Sequence, residues 1–251
     1  MNTPVKGAQA FSKSINVLRV IANCETPPTI GVLLNLTGLP RGTLNRIVQA
    51  LIAENLVLSK PEKTYILGPG LISLAAIAAE HFDLRSIGHK KLAALRDHLD
   101  ETVHLAALVG DQLIYTAKYD SRHAVRIAST VGTSAKLHAS AIGKAYLSQL
   151  PVEERSALVE SLQLPRLTDY TITSREQLVS QLNQAAMNGH AVIDQESDLD
   201  IKCIGVAIKQ GGRPIGGVSV SIPLYRIKDN IQHYLEPIHE CKRWIEEKIG
   251  H

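Results

Sequence analysis

Aromatic side chains are scarce, with one Trp, two Phe and seven Tyr making 4% of 251 residues. A single-strand nucleic-acid binder that stacks bases on exposed rings is thereby disfavoured. The three cysteines, Cys24, Cys203 and Cys241, are odd in number and far apart. They form neither a disulfide framework nor a CxxC motif, and reduced thiols in a reducing compartment are the reading they support. No uninterrupted apolar run approaches the roughly 18 residues that a membrane span needs. The N-terminus lacks the apolar core of a signal peptide, so no membrane partner and a cytoplasmic location are expected. Catalytic motifs are also missing. "GVSVS" fails the GxSxG elbow at its last position, and neither a P-loop nor GxGxxG occurs. His138 and Ser140 stand two apart, but no third group orients the imidazole. Ten histidines scatter without HExxH-like spacing. No catalytic residue, metal or cofactor is assigned, and an enzyme is the distant alternative.

What is present is an uneven distribution of charge. The formal net charge is +3. Residues 1–67 hold seven Lys/Arg against three Asp/Glu, whereas the rest hold 20 against 21. The length fits one large or two modest domains, and this division favours two, with a polyanion meeting only the first.

The apolar pattern of that first part is helical. Ile15, Leu18 and Ile21 recur at three-residue spacing and predict a helix from Ser12 to Ile21, with Ser12 or Ser14 as N-cap. Thr29 is placed to cap a second helix through Leu36, and Gly38 supplies the following turn. Leu44, Ile47, Val48, Leu51 and Ile52 then complete an i, i+3, i+4, i+7, i+8 stripe. "LVLS" and "TYIL", with Lys60-Pro61-Glu62-Lys63 between them, read as a hairpin. Three helices and a hairpin over residues 8–68 make a winged helix-turn-helix. If the stripe faces the first two helices, Gly42, Asn45, Arg46 and Gln49 lie on the free side, flanked by Arg41 and Thr43. In this motif the start of the second helix enters the major groove. Arg grips guanine or phosphate, Asn and Gln pair with adenine, and Thr touches a thymine methyl. Lys60 and Lys63 would sit at the wing tip. Taken alone, the face reads better as an ordinary solvated one; the turn Gly at the helix junction, the full stripe and the wing-tip lysines together turn the reading to DNA binding.

An Ala-rich helix over 69–84, with a Leu71, Leu74, Ala75, Ala78 stripe, reads as a linker or the first helix of the next unit. From residue 85 the pattern is α+β. A helix near 86–100 precedes "TVHLAALVG" and "QLIYTAKYD", two strands joined at Gly110-Asp111. "AVRIAST" reads as a further strand, and helices are expected near 140–149, 152–162 and 174–188. "AVIDQES", "CIGVAIKQ" and "PIGGVSVSIP" add three strands, and a long helix closes the chain from about Lys228. Hairpin-joined strands with grouped helices imply an antiparallel sheet covered by helices. Ser140 lies near the cap of its helix, whose free N–H groups either hold a small anion or are simply capped. Ser219 and Ser221 share one strand face. That face meets water, or lines a polar pocket joined by Cys203 if helices cover both sides.

In this order and spacing, "FSKSINVLRVIA", "TGLPRGTLNRIVQALIAENLV", "YILGPGLISLA", "LHASAIGKAYL", "NGHAVIDQES" and "GGVSVSIPLYRI" resemble the IclR family of bacterial transcriptional regulators. The resemblance implies a winged helix-turn-helix, a linker helix and a GAF-like effector domain over 85–251. It implies a homodimer or dimer of dimers on a double-stranded operator. A small carboxylate effector, whether sugar acid, keto acid or aromatic acid, would control a catabolic operon, with repression favoured. Carried over by position, Thr43, Asn45 and Arg46 face DNA, with Arg41 and Gln49 as neighbours. Ala141 and Ile142 offer backbone to the effector beside His138 and Ser140. Asp194, Cys203, Ser219 and Ser221 line the pocket, and Ala124 and Ile127 form its apolar wall. Two positions depart from the family: Asp200 stands where a Gly is common, and the acidic run is diluted to "DQES". A metabolite-binding module without duplex binding is the alternative.

Overall fold

The computed structural model describes residues 8–80, 83–123, 129–228 and 230–250. Its contacts divide the chain into two units, Met1–His81 and Phe82–His251.

In the first unit, α1 (Gln9–Asn23), α2 (Ile30–Thr37) and α3 (Arg41–Ala53) precede a hairpin of β1 (Val57–Ser59) and β2 (Tyr65–Leu67). Val17, Leu18 and Ile21 of α1 meet Leu33 of α2 and Leu44, Ile47, Val48 and Leu51 of α3 in one core. Each such side chain contributes about 1.5–3 kcal/mol on burial, and together they fix the roll of α3. Ile52 packs on the rim of this core, half-buried. Thr29 caps α2 by accepting from Val32 N–H. Gly38 ends it in the left-handed region at φ 64°, where a side chain would be strained. The α1 start differs from expectation. Its N-cap is Ala8, and Ser12 and Ser14 lie inside the helix, their hydroxyls donating to the Ala8 and Ala10 carbonyls. Serine satisfied four residues back no longer marks a boundary. The linker region is occupied by α4 (Pro69–Glu80), which belongs to the first unit, while α5 (Asp83–Leu99) opens the second.

The second unit is a five-stranded antiparallel sheet of order β4-β3-β7-β6-β5. Its strands are β3 (Thr102–Val109), β4 (Gln112–Tyr119), β5 (Ala191–Asp194), β6 (Ile201–Gln210) and β7 (Arg213–Pro223). One face packs on α5 and α9 (Gln232–Ile249) through Val103, Leu105, Ile204, Val206, Val218 and Val220. The other is covered by α6 (Ala141–Ser148), with α7 (Val152–Ser161) and α8 (Arg175–Asn188) beyond it. Strand alternation makes both faces buried, as an antiparallel sheet between helix layers requires. Of the expected strand "AVRIAST", residues 124–128 lie outside the described residues, and Ser129 and Thr130 are irregular. Residues 131–135 instead run along β4, with Tyr115 N–H donating to Thr133 O and Ala135 N–H to Leu113 O. The last helix begins at Gln232, four residues after Lys228. Among the described residues no helix is long and apolar enough to cross a membrane.

Candidate functional site

Two faces collect the residues that sequence reasoning singled out. On α3, Arg41, Asn45, Arg46 and Gln49 are exposed and Thr43 is half-buried, while the buried stripe points the other way. Among the described residues no side-chain hydrogen bond or ion pair engages any of the five. Donors held on a rigid helix without internal partners are free for an external acceptor. Lys60 and Lys63 are exposed at the β1–β2 turn, where Lys63 adopts φ 57° and its N–H donates to Lys60 O. The turn is therefore tight, and both ammonium groups project from one tip.

The second face is the side of the sheet under α6. Cross-strand partners share a face. His104 lies opposite Ser219 and Ser219 opposite Gly205; Thr102 lies opposite Ser221 and Ser221 opposite Cys203. All six are on the α6 side. A Cβ on Gly205 would stand 2.5 Å from the Ala141 carbonyl carbon and 2.8 Å from Ile142 N, so only glycine lets the helix start press on the sheet. Ser140 caps α6 by accepting from Gly143 N–H and donates to Lys136 O, which absorbs its hydroxyl. The N–H groups of Ala141 and Ile142 open the helix after a turn at 137–139, and among the described residues no hydrogen bond engages either. Ser219 and Ser221 are each 4% exposed. Cys203 Sγ donates to Ser221 Oγ at 3.2 Å. Burial pushes the Cys203 thiol up to about 12 despite that hydrogen bond, so it is a neutral donor, not a nucleophile.

Two expected pocket residues, Asp194 and His138, stand elsewhere. Asp194 pairs with Lys202, one residue out of step with Cys203, and therefore faces away from α6; its carboxylate meets Lys202 Nζ at 2.8 Å. A period of two turns each neighbour to the opposite side. His138 is buried, with Nε2 3.0 Å from Pro165 O, and braces the loop after α7. Burial, chiefly, holds its pKa below the ordinary value. Ala124 and Ile127 lie outside the described residues.

Other groups on this face escaped sequence reasoning. The His104 ring lies 5.4 Å from that of Tyr115, and its Nε2 lies 2.5 Å from Ser129 Oγ. Tyr115 stands opposite Ala106, hence on the same side, and burial raises its phenol to about 12 with the Cys203 and Asp198 side chains adding to the effect and Ser140 opposing it. The Asp198 charge also raises Cys203. The 195–200 turn that carries it has Gln195 at φ 59° and Asp200 at φ 61°. Asp200 thus occupies a left-handed position that suits glycine. Behind α6, Lys144 Nζ donates to both Glu196 carboxylate oxygens at 2.6 Å and to Gln181 Oε1, all screened from solvent.

Burial first, and Lys118 second, lower the His104 pKa from 6.5 to about 4, with Asp120 opposing. The folded protein keeps this ring neutral while the unfolded chain takes up a proton as pH falls through 6.5. Stability is therefore present above pH 6.5 and lost toward pH 4, by about 2–3 kcal/mol at pH 4.5. In urea titrations the stability difference between wild type and His104→Gln should shrink by that amount between pH 7 and 4.5. A difference independent of pH would mean that His104 is not held neutral.

Residues 76–247 match the family described as "Bacterial transcriptional regulator IclR C-terminal", and residues 10–61 match the "IclR helix-turn-helix domain". The HTH-type transcriptional regulator KdgR of Dickeya chrysanthemi is 30% identical over 214 residues, covering 84% of this chain and 70% of that protein. The crystal structure of Thermotoga maritima IclR is 26% identical, covers 96% of this chain and 98% of its own, and has a TM-score of 0.81. An IclR homologue from Microbacterium hydrocarbonoxydans complexed with 4-hydroxybenzoate shares the fold at 22% identity, with 96% and 99% coverage and a TM-score of 0.84. An α3 face with free polar side chains and a sheet face walled by α6 thus belong together: the chain is a member of the IclR family of bacterial transcriptional regulators, with a helix-turn-helix DNA-binding domain and a C-terminal effector-binding domain.

Proposed function

We propose that the protein represses a catabolic operon in the cytoplasm and releases it when a small carboxylate occupies the face beneath α6. The carrying observation is the polar side of α3, whose Arg41, Asn45, Arg46 and Gln49 have no intramolecular partner among the described residues. Arg41, Thr43, Asn45, Arg46 and Gln49 read the major groove, and Lys60 and Lys63 hold the flanking phosphates. The effector's carboxylate meets the Ala141 and Ile142 N–H groups, and Cys203, Ser219 and Ser221 form the polar floor. That an IclR homologue of the same fold was crystallised with 4-hydroxybenzoate supports a small acid as the effector.

The working unit is a homodimer, or a dimer of dimers, on a pseudo-palindromic site with half-sites about 34–36 Å apart or a multiple of that. Ile72, Leu74 and Ile77 of α4 are 72%, 59% and 58% exposed in the single chain, which supports a seam between copies there. The effector shifts the disposition of the two reading helices only as far as it binds one arrangement more tightly.

Arg41, Arg46, Lys60 and Lys63 on two half-sites amount to eight cationic contacts. If all reach phosphate, log affinity falls with log salt at a slope of about −7, since each contact releases condensed counterions. Genomic fragments recovered by pull-down, titrated by fluorescence anisotropy over a salt series, measure that slope. Binding that ignores salt would overturn the assignment of these residues to duplex DNA.

A further inference from the structure

We propose that the effector is a hydroxylated carboxylic acid, and that His104, Tyr115, Ser219 and Ser221 read its hydroxyl groups. This rests on the reading of the α6 face as the effector site. It adds what the acid must carry besides its carboxylate.

The helix start alone would suit any small anion. The floor in front of it is more selective. Ser219 is 4% exposed and has no hydrogen-bond partner among the described residues. Its register puts it between His104 on β3 and Gly205 on β6, directly before the first turn of α6. Ser221 accepts from the Cys203 thiol, so its own O–H must be donated elsewhere. His104 spends Nε2 on Ser129, and its second ring nitrogen has no partner among the described residues. Tyr115 brings a protonated phenol, hydrogen-bonded with Ser140 and keeping acceptor capacity, to the same corner, 5.4 Å from the imidazole ring centre to centre. Thr102, opposite Ser221, likewise accepts, from Ser121 N–H, and keeps its own O–H to donate.

The groups with spare capacity are all neutral, and most both donate and accept. Their charged neighbours are engaged elsewhere or are acidic. Lys144 is turned to Glu196 and Gln181, Lys118 meets Asp120 at 3.0 Å, and the Asp198 charge that raises Tyr115 and Cys203 is negative. A ligand hydroxyl, which gives one hydrogen bond and takes two, matches such a floor; a bare hydrocarbon or unsubstituted ring leaves every one of these groups dry and unpaired. Gly205 and Gly217 take the first turn of α6 close against the sheet, the Ala141 backbone over one and the Ile142 side chain over the other.

Isothermal titration calorimetry on the full chain tests this with acids in matched pairs: gluconate with hexanoate, 3-hydroxybutyrate with butyrate, and 4-hydroxybenzoate with benzoate. In at least one pair the hydroxylated member should bind at least about tenfold more tightly, the usual scale for one buried hydrogen bond. The Ser219→Ala/Ser221→Ala variant should erase that ratio. His104→Phe should reduce the ratio and His104→Gln should restore it, because Gln returns a neutral donor and acceptor. Equal affinities within every pair, or no binding by any hydroxylated member, would overturn the proposal. The site reading fails separately: if an acid binds with unchanged affinity to Ser219→Val, the ligand lies elsewhere. If Ser219→Val abolishes binding but the pairs are equal, the site stands and the hydroxyl requirement falls.

Discussion

Reversing one charge on the reading helix, Arg46→Glu, should abolish operator binding while the affinity for effector stays within twofold. Arg46 is exposed on α3 and joins no ion pair among the described residues, so its replacement leaves no buried partner stranded. An exposed substitution of this kind changes stability by about 0.5 kcal/mol or less. The whole effect therefore falls on DNA. Losing one bidentate contact costs about 1–3 kcal/mol, and the proposed dimer would lose it twice. The resulting 2–6 kcal/mol is a factor of roughly 30 to 10⁴, before the repulsion between the new carboxylate and phosphate is added. Electrophoretic mobility shift with the recovered operator measures it directly. A change below about threefold would remove Arg46 from the reading face. Asn45→Ala separates the two kinds of contact: if Asn45 reads a base, it relaxes sequence preference at one operator position, whereas loss of a phosphate contact weakens all sequences alike.

The helix-turn-helix was legible because its signals are local. The Leu44, Ile47, Val48, Leu51 stripe has one period and one neighbour, and Thr29 and Gly38 sit at their helix ends for chemical reasons that act within a turn. The Ser219 and Ser221 face was legible as well, since alternation along a single strand places both on one side. What a single strand does not disclose is its neighbour. His104 and Tyr115 lie in apolar runs, and only the β3–β4 and β3–β7 registers bring them to the same side as Ser219. Asp194 failed for the same reason in reverse. One step along β5 separates it from Ile193, and pairing with β6 turns Ile193, not Asp194, toward Cys203. The turn that follows reverses the chain through Gln195 and Asp200, both at positive φ. Lys144 shows the same limit: a lysine in the middle of "AIGKAYL" gives no sign of its acid 52 residues later.

That buried pair carries the second large expectation. Lys144→Met should destabilise the effector domain by about 3–5 kcal/mol near neutral pH, because the Glu196 carboxylate would stay buried without its cation. Lys144 is 1% exposed and Glu196 4%, so water does not replace the lost partner. Burial already pushes the Glu196 carboxyl above its ordinary range, and Lys144 opposes that rise. Removing Lys144 lets the pKa climb further. A carboxyl whose folded pKa is raised holds a proton that the unfolded chain has released, so the variant loses stability as pH rises through the carboxylate range. Its deficit should accordingly be smaller at pH 5 than at pH 7.5 in urea titrations. The double variant Lys144→Met/Glu196→Met should recover most of the loss, since a well-packed apolar pair replaces a buried ion pair at little cost. Equal losses in the single and double variants would show that packing, not the unpaired charge, is at issue. The pair also positions the pocket. Gln195 and Glu196 carbonyls accept from Thr168 and Thr171, so Lys144 fastens to α6 the same turn that carries Asp198. Effector affinity should then fall in the single variant even at pH 5, where much of the stability has returned, because a protonated Glu196 no longer has an ammonium group on α6 to hold it.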